Sequence, residues 1–258
     1  MFHTGGYLVP FDAALCTLIF CGILAQSTWN ENYGDVSETQ STSSPGFLSI
    51  FQCALQTCIR NKEILICGLV ASLFEGSMYI FVFMWTPILT DLSADDASIP
   101  FGLIFATFMV SCMVGSSLFS IIVRKVRVEK ICIGIFFLGT FAMGTIRMAS
   151  SDTACFLAMN VFEVCVGMYF PSMGTMKSSI VPESQRSAIY NLYRVPLNFI
   201  VVTILLKKIT PQHSFMLTAA MLALATTLQI NLNFRRLISS PSIQKDNHTK
   251  KAENENSV

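Results

Sequence analysis

"ASLFEGSMYIFVFMWTPIL", residues 71–89, carries a single charged side chain, Glu75, in an otherwise apolar run. Such a run fits the core of a soluble protein only if the rest of the chain supplies a polar surface. It does not. The 258 residues are 52% hydrophobic and only 13% charged, where a soluble domain has about 25% charged residues. Working outward from 71–89, apolar blocks recur at 7–26, 64–86, 100–123, 131–149, 154–176, 188–206 and 213–232. Each is close to the roughly 20 residues that span a bilayer as helix. None shows the strict alternation of a barrel strand. In hydrocarbon, every backbone N–H and C=O must be satisfied within the segment, so the blocks are helices. The sequence predicts an all-α, multipass transmembrane helical bundle with seven crossings. The opening "MFHTGGYLVPF" lacks a basic leader region and is not read as a secretory signal.

Cation placement predicts orientation, because cytoplasmic loops are enriched in Lys and Arg. With the loops after the first, third and fifth blocks and the C-terminal tail inside, that side holds thirteen of the seventeen Lys and Arg residues. These include Lys177, Arg127 and Arg236. The other side holds Arg147, Lys207 and Lys208, and Arg194 lies within a block. A cytoplasmic C-terminus and an outward N-terminus follow. The net charge of +1 indicates no partner, and none of the features points to nucleic acid.

Four regions are expected. Residues 1–26 form a first transmembrane helix. Residues 27–63 form a cytoplasmic loop ending in an amphipathic interfacial helix, with Phe47, Ile50, Phe51, Ala54, Leu55 and Cys58 at helical spacing. Residues 64–235 form six helices, and residues 236–258 form a polar, disordered cytoplasmic tail. The nine cysteines are odd in number and mostly intramembrane, there is no CxxC, and the three histidines are scattered. This composition suggests no metal site, no cofactor and no enzyme.

The membrane charges carry the functional signal. Glu75, Glu163 and Arg194 lie inside blocks, where a charge costs at least about 2.5–3.5 kcal/mol at the bilayer centre. Each glutamate is open to two readings: a buried or hydrogen-bonded structural carboxyl, or a side chain facing a water-filled cavity. Arg194 keeps its charge, so it pairs, reaches the interface, or contacts an anion. Asp12, near a block end, reads as interfacial. Phe74-Glu75 precedes Met78-Tyr79, and Phe162-Glu163 precedes Met168-Tyr169. The two dyads open successive three-helix sets, the repeat unit of many transporters. Glu75, Tyr79 and Val82 share a helical face at i, i+4 and i+7, while Phe74, Phe81 and Ile88 lie on another. Glu75 is expected to face a central cavity within reach of Arg194 or Glu163, with the Tyr79 hydroxyl completing the polar face. Pro87, Pro171 and Pro196 are expected to break or end the backbone ladder. Ser111-xxx-Gly115 and Ala219-xxx-Ala223 are expected to permit close helix approach.

Four stretches, "LFEGSMYIFVFMWTPIL", "GLIFATFMVSCMVGSSL", "GMYFPSM" and "IVPESQRSAIYNLYRVPLN", resemble the second half of the molybdate-anion transporters of the major facilitator superfamily. The resemblance covers roughly residues 7–235. It implies the C-terminal six-helix half of a twelve-helix fold plus one preceding helix, with alternating access around a cavity between halves. By position, Glu75, Glu163 and Arg194 fall in helices equivalent to the seventh, tenth and eleventh, which line that cavity. Helices one to five are missing from the pattern. The resemblance implies uptake of molybdate or a related oxyanion across the cell membrane. Arg194 would attract the anion, and Glu75 and Glu163 would carry protons or balance Arg194. A complementary half or a second copy is implied as partner, beside the lipid bilayer. The alternative is a non-transporting, partner-binding membrane protein, or a fragment of the full-length carrier.

Overall fold

A computed structural model describes residues 8–29, 47–93, 99–149, 151–207 and 209–238. Among these residues the regular structure is helical throughout. The chain divides into two compact units, 1–43 and 44–258.

In the first unit, helix α1 spans Val9–Thr28, with Pro10 in its first turn and Asp12 beside it. Its apolar residues surround the axis rather than forming one stripe, as in a helix that meets lipid on all sides. Twenty residues at 1.5 Å each give about 30 Å, the thickness of the hydrocarbon core. The predicted loop begins later than residue 27, since α1 runs to Thr28, and residues 30–46 lie outside the described residues.

The second unit contains α2 (Phe47–Arg60), α3 (Lys62–Leu92), α4 (Phe101–Ile122), α5 (Val128–Met148), α6 (Asp152–Ile180), α7 (Arg186–Leu206) and α8 (Pro211–Ile238). A single 3₁₀ turn at Glu183–Gln185 joins α6 to α7. α2 is the expected amphipathic helix. Ala54 and Cys58 are buried against Ile64, Val181, Ile189 and Tyr193, while Phe51, Leu55 and Ile59 are exposed. Asn61 separates α2 from α3 and caps the latter, its Oδ1 accepting from the Glu63 and Ile64 N–H groups at 2.9 and 3.4 Å. Ser151 caps α6 by accepting from Ala154 N at 3.2 Å.

Lipid tails are as apolar as Leu, so helices in a membrane associate through close packing and polar bonds rather than by hydrophobic expulsion. Both are present here. α4 and α6 cross with no room for a Cβ: one added at Gly115 would meet the Val164 carbonyl, and one at Gly167 would meet the Cys112 carbonyl. At the same crossing Ser111 donates to Asn160 Oδ1 at 2.8 Å. The expected Ser111-xxx-Gly115 approach is therefore formed. Ala219-xxx-Ala223 is not a comparable seam, because Ala223 is exposed and α8 packs through Thr218, Leu222 and Ala225.

The interior is aromatic. Phe74 stacks on Tyr169 with centroids 4.0 Å apart, and it lies 5.4 Å from Phe136 and 5.9 Å from Phe162. Phe81 touches Phe162 and Phe108. The outward residues of α4, such as Leu103, Val110, Met113 and Ile121, are apolar and exposed, a surface suited to acyl chains.

A polar clip joins three helix ends. Glu129, buried at the start of α5, accepts from Arg236 Nη1 at 2.9 Å and Arg127 Nε at 3.3 Å. Arg236 also donates to Ser179 Oγ at 3.1 Å. Gln229 of α8 donates to the Glu129 backbone carbonyl at 3.2 Å. Two of the cations counted above as loop charges are thus structural.

Three expectations change. α1, α3, α4, α5, α6 and α8 are long and apolar enough to cross a membrane, but α7 is not among them. It has the extent of the 188–206 block, and Tyr190, Asn191, Tyr193, Arg194 and Asn198 dilute its hydropathy. The prolines neither break nor end their helices: α3, α6 and α7 continue through Pro87, Pro171 and Pro196. Each removes one N–H from a ladder whose other bonds persist, which membrane helices tolerate. The C-terminal boundary also moves, since α8 runs to Ile238 and carries Arg235 and Arg236 in its last turn. Residues 239–258 lie outside the described residues.

Candidate functional site

Glu75 occupies the middle of α3, and the residues around it decide which way it points. Phe74, Phe81 and Ile88 are buried, whereas Tyr79 and Val82 are open, Tyr79 at 44% exposure. The helical periodicity of the sequence therefore separates a packed face from an open one. Glu75 sits at their boundary with its side chain 24% exposed.

Its partners come from α6. Tyr169 Oη donates to Glu75 Oε1 at 2.8 Å, and Lys177 Nζ donates to the same oxygen at 3.1 Å. The stack of the Tyr169 ring on Phe74 holds the hydroxyl in place. Tyr169, Met173, Met176 and Lys177 follow at helical spacing, so α6 brings phenol and ammonium to one side. Lys177 is 18% exposed, and its ammonium lies 5.6 Å from the centroid of the Tyr190 ring on α7, within cation–π range.

α7 is held against α3 at the same level. Tyr193 lies over Gly68, where a Cβ would collide with its ring. Its hydroxyl donates to the Ile64 carbonyl at 2.7 Å, and its own carbonyl accepts from Ser72 Oγ at 2.8 Å. Leu197 and Ile200 continue the contact at Gly76. The junction of α3, α6 and α7 thus collects a carboxylate, an ammonium and phenols in a bundle whose interior is otherwise largely apolar.

The predicted site residues separate on this framework. Glu75 is paired, but with Lys177 and Tyr169 rather than with Arg194 or Glu163. Arg194 is exposed on α7 and has no hydrogen-bond or ion-pair partner among the described residues. It follows Tyr193 by one position, about 100° round the helix, and so turns away from the α3 contact. The hydroxyl on Glu75 belongs to Tyr169, not to Tyr79, because Tyr79 projects from the open side of its own helix.

Glu163 is 7% exposed. It lies beside the α4–α6 crossing, with Cys112 as an electrostatic neighbour, and no donor or cation among the described residues reaches its carboxyl. Asp12 is exposed in the first turn of α1. Sequence reasoning missed Lys177 and Tyr169. The available signal was their spacing, since 169, 173 and 177 stack on one face once α6 is allowed to run past 176.

A family model described as sugar transporters with 12 transmembrane helices matches residues 3–155. Two proteins named molybdate-anion transporter, from Xenopus laevis and Xenopus tropicalis, are each 30% identical over 199 residues, covering 74% of this chain and 41% of theirs. Another of the same name, from Danio rerio, is 27% identical over 219 residues, covering 76% of this chain and 44% of its own. The chain therefore spans less than half the length of these curated relatives. Apolar spanning helices, a charged junction in the bundle and these relatives together place it: the chain is a multipass membrane protein of the major facilitator superfamily and belongs to the molybdate-anion transporter family.

Proposed function

We propose that the six helices α3–α8 supply one half of a carrier that takes molybdate or a related oxyanion into the cell. The observation that carries this reading is the Lys177 ammonium at the partly open junction of α3, α6 and α7. A neutral sugar, the substrate class in the family description, has no use for an ammonium in its path. Lys177, and Arg194 exposed on α7, suit an anion. Arg194 draws the oxyanion toward the open face that carries Glu75 and Tyr79. Glu75 and Glu163 are the groups able to accept protons during the cycle. The second wall of the cavity comes from a complementary half or a second copy of this chain. The protein resides in the cell membrane with its C-terminus in the cytoplasm, which the excess of Lys and Arg on that side supports.

Two measurements test the reading. Cells expressing this chain with a matching first half should take up labelled molybdate, and cells expressing an Arg194→Ala, Lys177→Ala double variant with the same half should not. Uptake unchanged in the double variant would remove the anion site from this junction. A C-terminal tag should be shielded from external protease in intact cells. Digestion of the tag without permeabilisation would reverse the orientation.

A further inference from the structure

The two donors on Glu75 converge on one oxygen, Oε1. A phenol and an ammonium fixed on a single anionic oxygen form a receptor for any anionic oxygen, not for a carboxylate alone. The receptor is built in advance. Tyr169 is buried and stacked on Phe74, and the Lys177 ammonium is steered by the Tyr190 ring. The carboxylate is the movable member, on the side of α3 that remains partly open.

We propose that Lys177 and Tyr169 are the receiving groups for a divalent tetrahedral oxyanion, and that the Glu75 carboxylate is their resident counter-ion, displaced when the anion arrives. This inference rests on the carrier reading above and assigns the substrate cation to Lys177, with Arg194 as an outer attractor. In the empty site the Lys177 ammonium and the Glu75 carboxylate cancel. A dianion alone would leave the site with two net negative charges. Glu75, released from its donors, takes one proton from the aqueous side of entry and cuts that to one. Substrate and proton therefore bind with positive coupling, and by linkage a lower pH tightens the anion.

The ionisable groups around Glu75 are few. α6 supplies Tyr169 and Lys177, and α7 supplies Tyr190 and Tyr193, with Arg194 beyond. Cys67 of α3 and Cys132 of α5 lie close to Tyr169. α8 has no ionisable side chain between His213 and Arg235.

Equilibrium binding of radiolabelled molybdate to the purified 258-residue chain in lipid nanodiscs, at pH 6 and pH 8, tests the proposal. The wild type should bind saturably and more tightly at pH 6. Glu75→Gln removes the competitor, so it should bind about tenfold more tightly at pH 8 and lose the pH dependence. Lys177→Ala should weaken binding by about tenfold or more, with Lys177→Arg retaining most of it, and Tyr169→Phe should weaken it several-fold. If Lys177→Ala does not fold, Glu75→Gln and Lys177→Arg carry the test. Wild-type binding combined with weaker or equally pH-dependent binding in Glu75→Gln overturns the exchange mechanism while leaving the carrier reading intact. Absence of saturable binding by the wild type overturns the assignment of Lys177 and Tyr169, while uptake in cells that also express a matching first half keeps the carrier reading intact.

Discussion

Two Phe-Glu dyads occupy equivalent places in the sequence and meet opposite fates in the fold. Phe74 and Phe162 are both fully buried and lie 5.9 Å apart, so the aromatic members of the dyads share one core. Their glutamates diverge. Glu75 reaches an ammonium and a phenol at a junction that is open on one side. Glu163 stays beside the α4–α6 crossing, where Gly115 and Gly167 bring backbones into contact and no donor among the described residues meets it. The two acids thus have different settings: one beside a cation, the other beside a close helix seam with no partner among the described residues. The neighbouring helix decides between them, and the acid's own helix does not.

The largest expected effect comes from the seam. Gly167→Ala places a methyl on the Cys112 carbonyl, which is backbone and cannot step aside. It should cost about 3 kcal/mol or more, since overpacking against backbone lies at the severe end of its range. The purified protein should show a large loss of thermal stability in detergent. Gly134→Ala, with nothing near its would-be Cβ, should be close to neutral. Equal tolerance of both would remove the seam from the comparison.

Next in size is the junction. Glu75→Gln leaves the largely buried Lys177 without its counter-charge and should destabilise by about 1–2 kcal/mol. Adding Lys177→Met should return most of that loss in a double-mutant cycle. Independent, additive losses would show that the pair does not act as a unit.

The helices themselves were legible because lipid demands long apolar runs, and each of the seven blocks is helical. The ends were not. The blocks 64–86 and 154–176 become α3 over Lys62–Leu92 and α6 over Asp152–Ile180. A hydropathy pattern stops at a proline or a charge, here Pro87 and Lys177, while a helix continues until its backbone bonds are capped. Lys177 was lost to that difference and counted as a loop charge. Tyr169 escaped for another reason. Periodicity reports which residues share a face of one helix, and so it offered Tyr79 to Glu75. It says nothing of what a facing helix presents. Glu163 was legible as an intramembrane acid, but its want of a partner depends on α4, which has no cation anywhere along Phe101–Ile122.

A smaller effect tests whether the open junction is a rigid frame. Tyr193→Phe keeps the ring over Gly68 and removes only the hydrogen bond to the Ile64 carbonyl. Interhelical hydrogen bonds in membranes average about 0.6 kcal/mol, so a loss near that size is expected in chemical unfolding from bicelles. A loss of several kcal/mol would mean that α7 is held on α3 by this bond more than by packing, and that the junction can open when it breaks.

The smallest expected effect concerns Glu163. A lone carboxylate at this depth would cost at least about 2.5–3.5 kcal/mol. Among the described residues no hydrogen bond or ion pair reaches the Glu163 carboxyl: Arg147 of α5 is in the last turn of its helix, and Lys177 is engaged by Glu75. With no partner to lose among the described residues, Glu163 should accept a neutral amide of the same shape with little change. Glu163→Gln is expected to alter stability by less than about 0.5 kcal/mol, the range of a substitution that removes no partner. The measurement is the midpoint of thermal unfolding of Glu163→Gln beside Glu75→Gln, in the same lipid and at neutral pH. Glu163→Gln as damaging as Glu75→Gln would show a charged Glu163 with a partner, and the contrast between the two dyads would collapse. A near-silent Glu163→Gln beside a destabilised Glu75→Gln would hold the two acids apart: one bound by its charge, the other with no partner to lose.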